Sequence, residues 1–298
     1  MHDGEDGRAY PPRLNTIVHR EILTMPRVSN AIYSFKSMLL AGVRVGNRTI
    51  IWTPSLGLGF GNHMYLWLNA YISRQAGIDV KVLVTDSQRF WLKKFPLLQE
   101  LTIERDTVSM FDKRTWGGSP LMHQQWGVDY STKDLADFVT RFIMPSIESR
   151  ITQKRVLNVR RGDYYTTYKH FYSFDIKSYV VAALERTDPN LDLLVVSDDV
   201  EWCIHSLSDV LPEHTTYSRG DAWENFNDVS NAIQLIGTNS TFSYWGGYIG
   251  DVLNEDHPNR KVVMPWFHSR SANNGAAYQL DEKWDTLSMP NEVWLEHP

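Results

Sequence analysis

Three apolar runs in the second half of the chain each end in a polar segment, and this repeated pattern restricts the fold strongly. The polar segments are residues 158–163, 197–199 and 238–241. Stretches with helical spacing separate the runs, an alternation typical of β-α-β units with parallel strands. Because the carboxyl ends of parallel strands lie at one edge of a sheet, the three segments should meet where open α/β sheets bind ligands.

The first half of the chain shows the same alternation. The sequence predicts helices over 27–41, 63–75 (closed by Gly77) and 134–144, strands over 49–52 and 81–84, and a glycine-rich turn over 55–62. Two such halves in series predict an α/β fold with two Rossmann-like domains and a cleft between them. We expect domains at residues 1–150 and 151–298, with the chain crossing over near 146–153 and residues 1–13 frayed.

Composition limits the class of protein. The net charge of −5 argues against a nucleic-acid binder, because no basic excess is present to neutralise a phosphate backbone. Cys203 is the single cysteine, so neither an intrachain disulfide nor a cysteine-rich zinc site is expected. No run approaches the roughly 20 apolar residues of a membrane span. These features predict a soluble, cytoplasmic protein; contact with the inner face of a membrane and the oligomeric state are left open.

The polar strand ends carry groups that suit a nucleoside diphosphate. The planar guanidinium groups of Arg160 and Arg161 each offer two parallel hydrogen bonds to phosphate oxygens. Ser240 and Thr241 stand where a helix should begin, and free backbone N–H groups there bind anions. No D-x-D triplet occurs, so we expect no metal and no other cofactor, with the arginines neutralising the diphosphate instead.

The first half also permits a different function. Gly57 and Gly59 follow a strand, and Asp86 follows the next one, which is the outline of a dinucleotide-binding unit and of an NAD-dependent oxidoreductase. The third glycine of that pattern is replaced by Asn62, whose amide offers both a donor and an acceptor at a helix start. This alternative stays open at the level of sequence.

Four ordered segments resemble the α-1,2-fucosyltransferase family, a glycosyltransferase family 11-like group within the fucosyltransferase superfamily. GLGFGNHMYLWLNAY resembles that family's G-x-x-G-N-Q-M segment, and NVRRGDYY its H-x-R-R-x-D motif. VVSDDVEWC resembles S-D-D-x-x-W-C, and TNSTFSYWGGYIG resembles N-S-T-F-S-W-W-G-A. The resemblance covers roughly residues 52–268.

The resemblance implies a GT-B glycosyltransferase that is inverting and metal-independent. It would move L-fucose from GDP-β-L-fucose to the 2-hydroxyl of a galactoside or other oligosaccharide, and Arg161 is the residue that the resemblance links to the donor diphosphate. The candidate catalytic residues are Arg161, Asp163, Asn62 and His63. The candidate donor-binding residues are Asn158, Arg160, Arg161, Asp198, Asp199, Asn239, Ser240 and Thr241.

The chain departs from the family pattern at three positions. Asn158 stands in place of a histidine, His63 in place of a glutamine, and Tyr244 in place of a tryptophan. These changes keep a non-catalytic nucleotide-sugar-binding relative among the alternatives. The general base is also left open between Asp163, Asp86 and His63. The acceptor cannot be named, since its specificity would lie in loops such as residues 104–132.

Overall fold

The computed structural model describes residues 49–288, apart from residues 56, 110–111, 117–122, 149–151 and 272. The helix predicted over 27–41 and the segment 1–13 lie outside the described residues. Two parallel sheets organise the part that is described, one built from residues 49–116 and the other from residues 152–287. The predicted division of the chain at residue 150 stays a prediction.

The first sheet has four parallel strands in the order β3-β2-β1-β4. Its elements are β1 (Thr49–Thr53), α1 (Phe60–Gln75), β2 (Asp79–Leu83), α2 (Asp86–Lys94), a 3₁₀ helix (Pro96–Leu101), β3 (Thr102–Ile103), a 3₁₀ turn (Arg105–Thr107) and β4 (Lys113–Trp116). Helix α1 begins at Phe60, three residues before the predicted start. Because Gly59 is extended and its carbonyl accepts from the N–H groups of Asn62 and His63, both residues belong to the first turn of α1.

A helical connection joins the two sheets. It consists of α3 (Thr132–Phe138), a π-helical segment (Val139–Ile143) and a 3₁₀ turn (Met144–Ser146). The sequence predicted one helix over 134–144. The Ser131 side chain accepts from the backbone N–H of Asp134 and fixes the earlier start. The helical connection ends at Ser146, one residue after Pro145, which cannot continue a helical hydrogen-bond ladder.

The second sheet has six parallel strands in the order β12-β9-β8-β5-β6-β7. Its strands are β5 (Thr152–Val159), β6 (Asp192–Ser197), β7 (Thr216–Tyr217), β8 (Ala232–Gly237), β9 (Lys261–Pro265) and β12 (Asp285–Leu287), with β10 (Phe267–Ser269) and β11 (Gly275–Ala276) forming a separate antiparallel pair. The helices are α4 (Lys169–Tyr172), α5 (Ile176–Leu184), α6 (Val200–Leu207), α7 (Ala222–Asn231) and α8 (Thr241–Leu253), with a 3₁₀ turn at Gly162–Tyr164. The predicted α/β class with parallel sheets is confirmed.

An aromatic core joins the two halves of the described chain. Phe60 on α1 stacks on Trp91 with ring centroids 3.7 Å apart and meets the edge of Phe226 on α7 at 4.9 Å. Further along α1, Tyr65 lies 5.0 Å from Trp245 on α8. Each such pair contributes on the order of 0.5–1.5 kcal/mol beyond the area it buries. The core therefore holds the amino-terminal ends of α1 and α8 next to each other.

Candidate active site

The three predicted polar segments meet at one edge of the second sheet, because β5 lies between β6 and β8. The backbone N–H of Thr238 donates to the carbonyl of Asn158 (3.0 Å), and the N–H of Arg160 donates to Thr238 Oγ1 (2.9 Å). On the other side, the N–H of Arg161 donates to Asp198 Oδ1 (2.8 Å). The predicted convergence of these strand ends is confirmed.

Two helix N-termini face each other above this edge. Helix α8 begins after Ser240, whose hydroxyl accepts from the N–H of Phe242 (3.2 Å). Helix α1 begins after Gly59, and Gly61 in its first turn packs directly against Thr241. Both helix dipoles place positive partial charge here, so this junction favours an anion.

A cleft of about 450 Å³ opens between the two halves at this junction. From the first half it is lined by Ser55, Gly57, Leu58, Gly59, Phe60, Gly61 and Asn62. From the second half it is lined by Arg160, Asp163, Tyr164, Tyr168, Phe171, Tyr172, Ser240, Thr241, Phe242 and Ser271. The predicted cleft between two Rossmann-like halves, which is the GT-B arrangement, is thus present.

A smaller cavity of about 160 Å³ adjoins the cleft. Its lining consists of Asn158, Val159, Arg160, Val196, Ser197, Asp198, Ala222, Asn225, Ser240 and Phe242. The two cavities share Arg160, Ser240 and Phe242. An elongated ligand spanning both would therefore pass beside the Arg160 guanidinium and the start of α8.

Arg160 is held at the cleft by two carboxylates. One guanidinium nitrogen lies 2.5 Å from Asp163 Oδ1 and another lies 2.8 Å from Asp198 Oδ2. Burial works against the charge, but the Asp198 and Asp163 carboxylates outweigh it and raise the pKa of Arg160. The side chain is 38% exposed, so a permanent cation is accessible to a ligand in the cleft.

Arg161 points elsewhere. Its guanidinium lies between two aromatic rings, 4.0 Å from the centroid of Trp202 and 4.3 Å from that of Tyr165. Its Nε also contacts Asp199 Oδ2 at 3.3 Å, and the side chain is only 17% exposed. Arg161 lines neither the cleft nor the adjoining cavity. Of the two predicted arginines, Arg160 is therefore the one that faces the ligand space.

Among the other predicted donor-binding residues, Asp198 and Asn158 line the smaller cavity, whereas Asp199 and Asn239 line neither cavity. Asp198 lines the smaller cavity, whereas Asp199 caps α6 by accepting from the N–H of Trp202. Asn158 also lines that cavity, although its amide donates to the Val196 carbonyl and accepts from the Ser243 hydroxyl.

Asn239 is fully buried away from the cleft. Its Nδ2 donates to the backbone carbonyls of Tyr172 and His268, both at 2.8 Å. Asn239 therefore links the backbone at Tyr172 to that at His268 and lines neither cavity.

The candidate bases are also separated by the fold. Asp163 lines the cleft. His63 is 1% exposed, packs toward Trp67 and lines neither cavity, and burial lowers its pKa to about 4. Asp86 is fully exposed at the start of α2, where it pairs with Arg89. The acidic residue that the oxidoreductase alternative needs is thus on the surface and lines neither cavity.

Sequence reasoning did not single out the aromatic wall of the cleft. Tyr168 and Phe171 line it while remaining 45% and 37% exposed, and Tyr164 stacks on Tyr172 with centroids 4.1 Å apart. The available signal was the density of aromatic residues over 164–172. Exposed aromatic faces of this kind suit the apolar faces of sugar rings.

Two further observations concern the described residues alone. Among them, no group of three or more His, Cys, Asp or Glu side chains is placed to hold a metal ion. Within the same residues, no helix has both the length and the apolar character needed to cross a bilayer.

Comparison with known proteins finds a family model that matches part of the chain. Residues 129–254 match the model of glycosyl transferase family 11. This match includes the arginine motif and the start of α8, so the resemblance predicted from the motifs is confirmed over that part of the chain. The amino-terminal motif lies outside the match.

A curated relative also matches part of the chain. An alpha-1,2-colitosyltransferase from Escherichia coli is 26% identical to this chain over 165 residues. The alignment covers 53% of this chain and 52% of the relative, so this chain matches about half the length of that protein. By its name, the relative is a glycosyltransferase.

Two solved E. coli structures align with most of the chain. ADP-heptose lipopolysaccharide heptosyltransferase II aligns at 11% identity and a TM-score of 0.46, covering 83% of this chain and 94% of that one. Heptosyltransferase WaaC with ADP aligns at 9% identity and a TM-score of 0.44, covering 83% and 95%. The α/β fold itself is established by the strand order and register described above.

Proposed function

We propose that this chain transfers a sugar from a nucleoside diphosphate to a hydroxyl group of a glycan. The observation that carries the proposal is the position of Arg160, a permanent cation that lines two adjoining cavities beside two helix N-termini. That arrangement suits a diphosphate with one group attached at each end. The match of residues 129–254 to a glycosyltransferase family supports the same reaction class.

The donor would occupy both cavities. We propose that the base and ribose enter the smaller cavity, where Asp198 and Asn225 offer polar atoms and Phe242 offers an apolar face. The diphosphate would lie against Arg160 and the first turn of α8. The sugar would then enter the larger cleft beside Asn62. In this scheme Arg161 has a supporting role, because its contact with Asp199 fixes the start of α6 next to the donor.

The proposed reaction is a direct displacement with inversion. The acceptor hydroxyl oxygen forms a bond to the anomeric carbon while the bond from that carbon to the diphosphate oxygen breaks, and the electron pair leaves with the diphosphate. Arg160 and the two helix N-termini would stabilise the charge that develops on this leaving group, a task often given to a metal ion. Asp163 lines the cleft and is proposed to take the hydroxyl proton.

For the donor and acceptor we propose GDP-β-L-fucose and the 2-hydroxyl of a galactoside. The four motifs resemble those of α-1,2-fucosyltransferases, and the curated relative is named for an α-1,2 transfer of a different sugar, colitose. Activated colitose is therefore a second donor to test. The exposed rings of Tyr168 and Phe171 would support the acceptor sugar.

The direct test is a transfer assay. The protein is incubated with labelled GDP-fucose, activated colitose, GDP-mannose or UDP-galactose and a panel of free and lipid-linked galactosides, with products read by mass spectrometry. A fucosylated or colitosylated galactoside supports the proposal. Binding of GDP without transfer from any donor would indicate a non-catalytic relative, and binding of NADH in preference to GDP would contradict the proposal.

A further inference from the structure

Three side-chain amides form a chain of hydrogen bonds that ends at the cleft. The backbone N–H of Tyr278 donates to Gln279 Oε1 (2.9 Å), and Gln279 Nε2 donates to Gln124 Oε1 (2.6 Å). Gln124 Nε2 then donates to Asn62 Oδ1 (2.9 Å). These hydrogen bonds connect the segment after β11 with the first turn of α1. Gln279 and Gln124 are 155 positions apart in sequence, and Gln124 and Asn62 are 62 positions apart.

The direction of this series of hydrogen bonds is fixed by its first donor, the backbone N–H of Tyr278. A backbone N–H can only donate, so Gln279 must turn its carbonyl oxygen toward Tyr278 and its NH₂ group toward Gln124. Gln124 must then accept through Oε1 and donate through Nε2, and Asn62 must accept through Oδ1. Any reversed amide would bring two donors or two acceptors together, which is costly inside a protein.

Burial makes this directional constraint strong. Gln279 is 0% exposed and Gln124 is 1% exposed, so water cannot replace a lost partner. Two tyrosines also hold the backbone of these glutamines: Tyr130 donates to the Gln124 carbonyl (2.9 Å), and Tyr248 donates to the Gln279 carbonyl. Burial raises the pKa of both hydroxyls, so they remain protonated donors.

We propose that Gln124 and Gln279 are positioning residues that hold Asn62 with its Nδ2 donor facing the cleft. Asn62 lines the cleft, and its Oδ1 is already occupied by Gln124. Among the described residues, none accepts a hydrogen bond from Nδ2. The amide therefore offers the ligand a donor, not an acceptor.

This inference rests on the proposed function for the identity of the ligand. A fixed NH₂ group in the cleft beside Gly61 and Thr241 suits an oxygen of the diphosphate or of the transferred sugar. Hydrogen bonds to charged oxygens are among the stronger ones, and a fixed donor needs no reorganisation when the ligand binds.

The substitution Gln279→Glu tests the direction of the chain. Ionised, the introduced carboxylate still accepts from Tyr278 but cannot donate to Gln124, so Gln124 and then Asn62 must turn over. Asn62 would now point its oxygen at the cleft. At pH 9 we expect GDP, titrated calorimetrically, to bind roughly 10- to 100-fold more weakly than to the unmodified protein. Lower pH should restore affinity relative to the unmodified protein, because a protonated carboxyl can donate to Gln124.

Two further variants separate positioning from structural damage. Gln125→Glu makes the same chemical change at the exposed neighbouring residue and should leave GDP affinity unchanged. In an Asn62→Ala background, Gln279→Glu should cause no further loss of GDP affinity, because the group that it reorients is gone. An equal loss with and without Asn62 would overturn the proposal.

Neutron diffraction from deuterated crystals reads the amide direction without any ligand. In the unmodified protein we expect the deuterons on Asn62 Nδ2 to be directed into the cleft. In crystals of Gln279→Glu grown at pH 9 we expect them on the side that faces Gln124. Asn62 Oδ1 facing the cleft in the unmodified protein would overturn the inference. If neither GDP nor UDP binds the unmodified protein, the proposed function fails, while the neutron result still decides the positioning role.

Discussion

Gly61 and Thr241 bring the two halves of the chain into close contact at the cleft. A Cβ atom added to Gly61 would lie 2.5 Å from Thr241 Oγ1 and 2.6 Å from its carbonyl carbon. Only a residue without a side chain can occupy that position, since backbone atoms on α8 cannot move aside cheaply. This contact brings the first turns of α1 and α8 together at the proposed anion site.

Replacing Gly61 should separate these helix ends. We expect Gly61→Ala to lower the free energy of unfolding by about 1–3 kcal/mol, the usual cost of overpacking, and to abolish most GDP binding. Urea unfolding and calorimetry measure the two effects. Gly59→Ala is the matched control for stability, because its Cβ would meet nothing within 4 Å, and it should cost less than about 1 kcal/mol. Equal stability losses in the two variants would refute the packing explanation.

The two arginines should behave differently when each is replaced by alanine. Arg160→Ala should reduce kcat/KM for sugar transfer by roughly 100-fold or more, the usual effect of losing a transition-state charge contact, with little change in Tm. Arg161→Ala should mainly lower Tm, because it empties the space between Trp202 and Tyr165. Kinetics and thermal unfolding of both variants provide the comparison. The reverse assignment, with catalysis lost only in Arg161→Ala, would move the diphosphate contact to Arg161.

Transfer should not require a divalent cation. Arg160 and the helix N-termini supply the positive charge in the proposed mechanism, so excess EDTA should leave the initial rate unchanged. The assay compares rates with EDTA and with added Mn²⁺ or Mg²⁺. Loss of activity in EDTA that is recovered by Mn²⁺ or Mg²⁺ would contradict this mechanism.

Acid should destabilise the protein through His63. Burial lowers the pKa of His63 from 6.5 to about 4, so below pH 6.5 the unfolded chain binds a proton that the folded chain does not. This contribution to stability is complete above pH 6.5 and is lost as pH falls toward 4, by about 2 kcal/mol at pH 5. Urea unfolding at pH 7 and pH 5 should show a smaller difference in the free energy of unfolding for His63→Gln than for the unmodified protein. His205→Gln, at an exposed position, should retain the full difference.

Much of the fold is readable from the sequence because its signals are local. Apolar runs ending in polar residues mark β5, β6 and β8, and parallel pairing then brings 158–163, 197–199 and 238–241 together. Helix boundaries were less accurate where capping decides them. The start of α1 depends on the extended backbone of Gly59, which the periodicity of the apolar residues does not reveal.

The site is only partly readable for a physical reason. Sequence identifies an arginine pair but not which guanidinium faces the cleft, since that depends on the distant Trp202 and on Asp198 and Asp163. The same limit applies to Gln124 and Gln279. Their contact joins residues far apart in sequence, and no motif marks two glutamines as partners.

A crystal structure with GDP tests the central claim most directly. We expect diphosphate oxygens within hydrogen-bonding distance of the Arg160 guanidinium and of the first backbone N–H groups of α8, with the guanine in the cavity lined by Asp198 and Asn225. GDP bound elsewhere, with Arg160 still held only by Asp163 and Asp198, would contradict it.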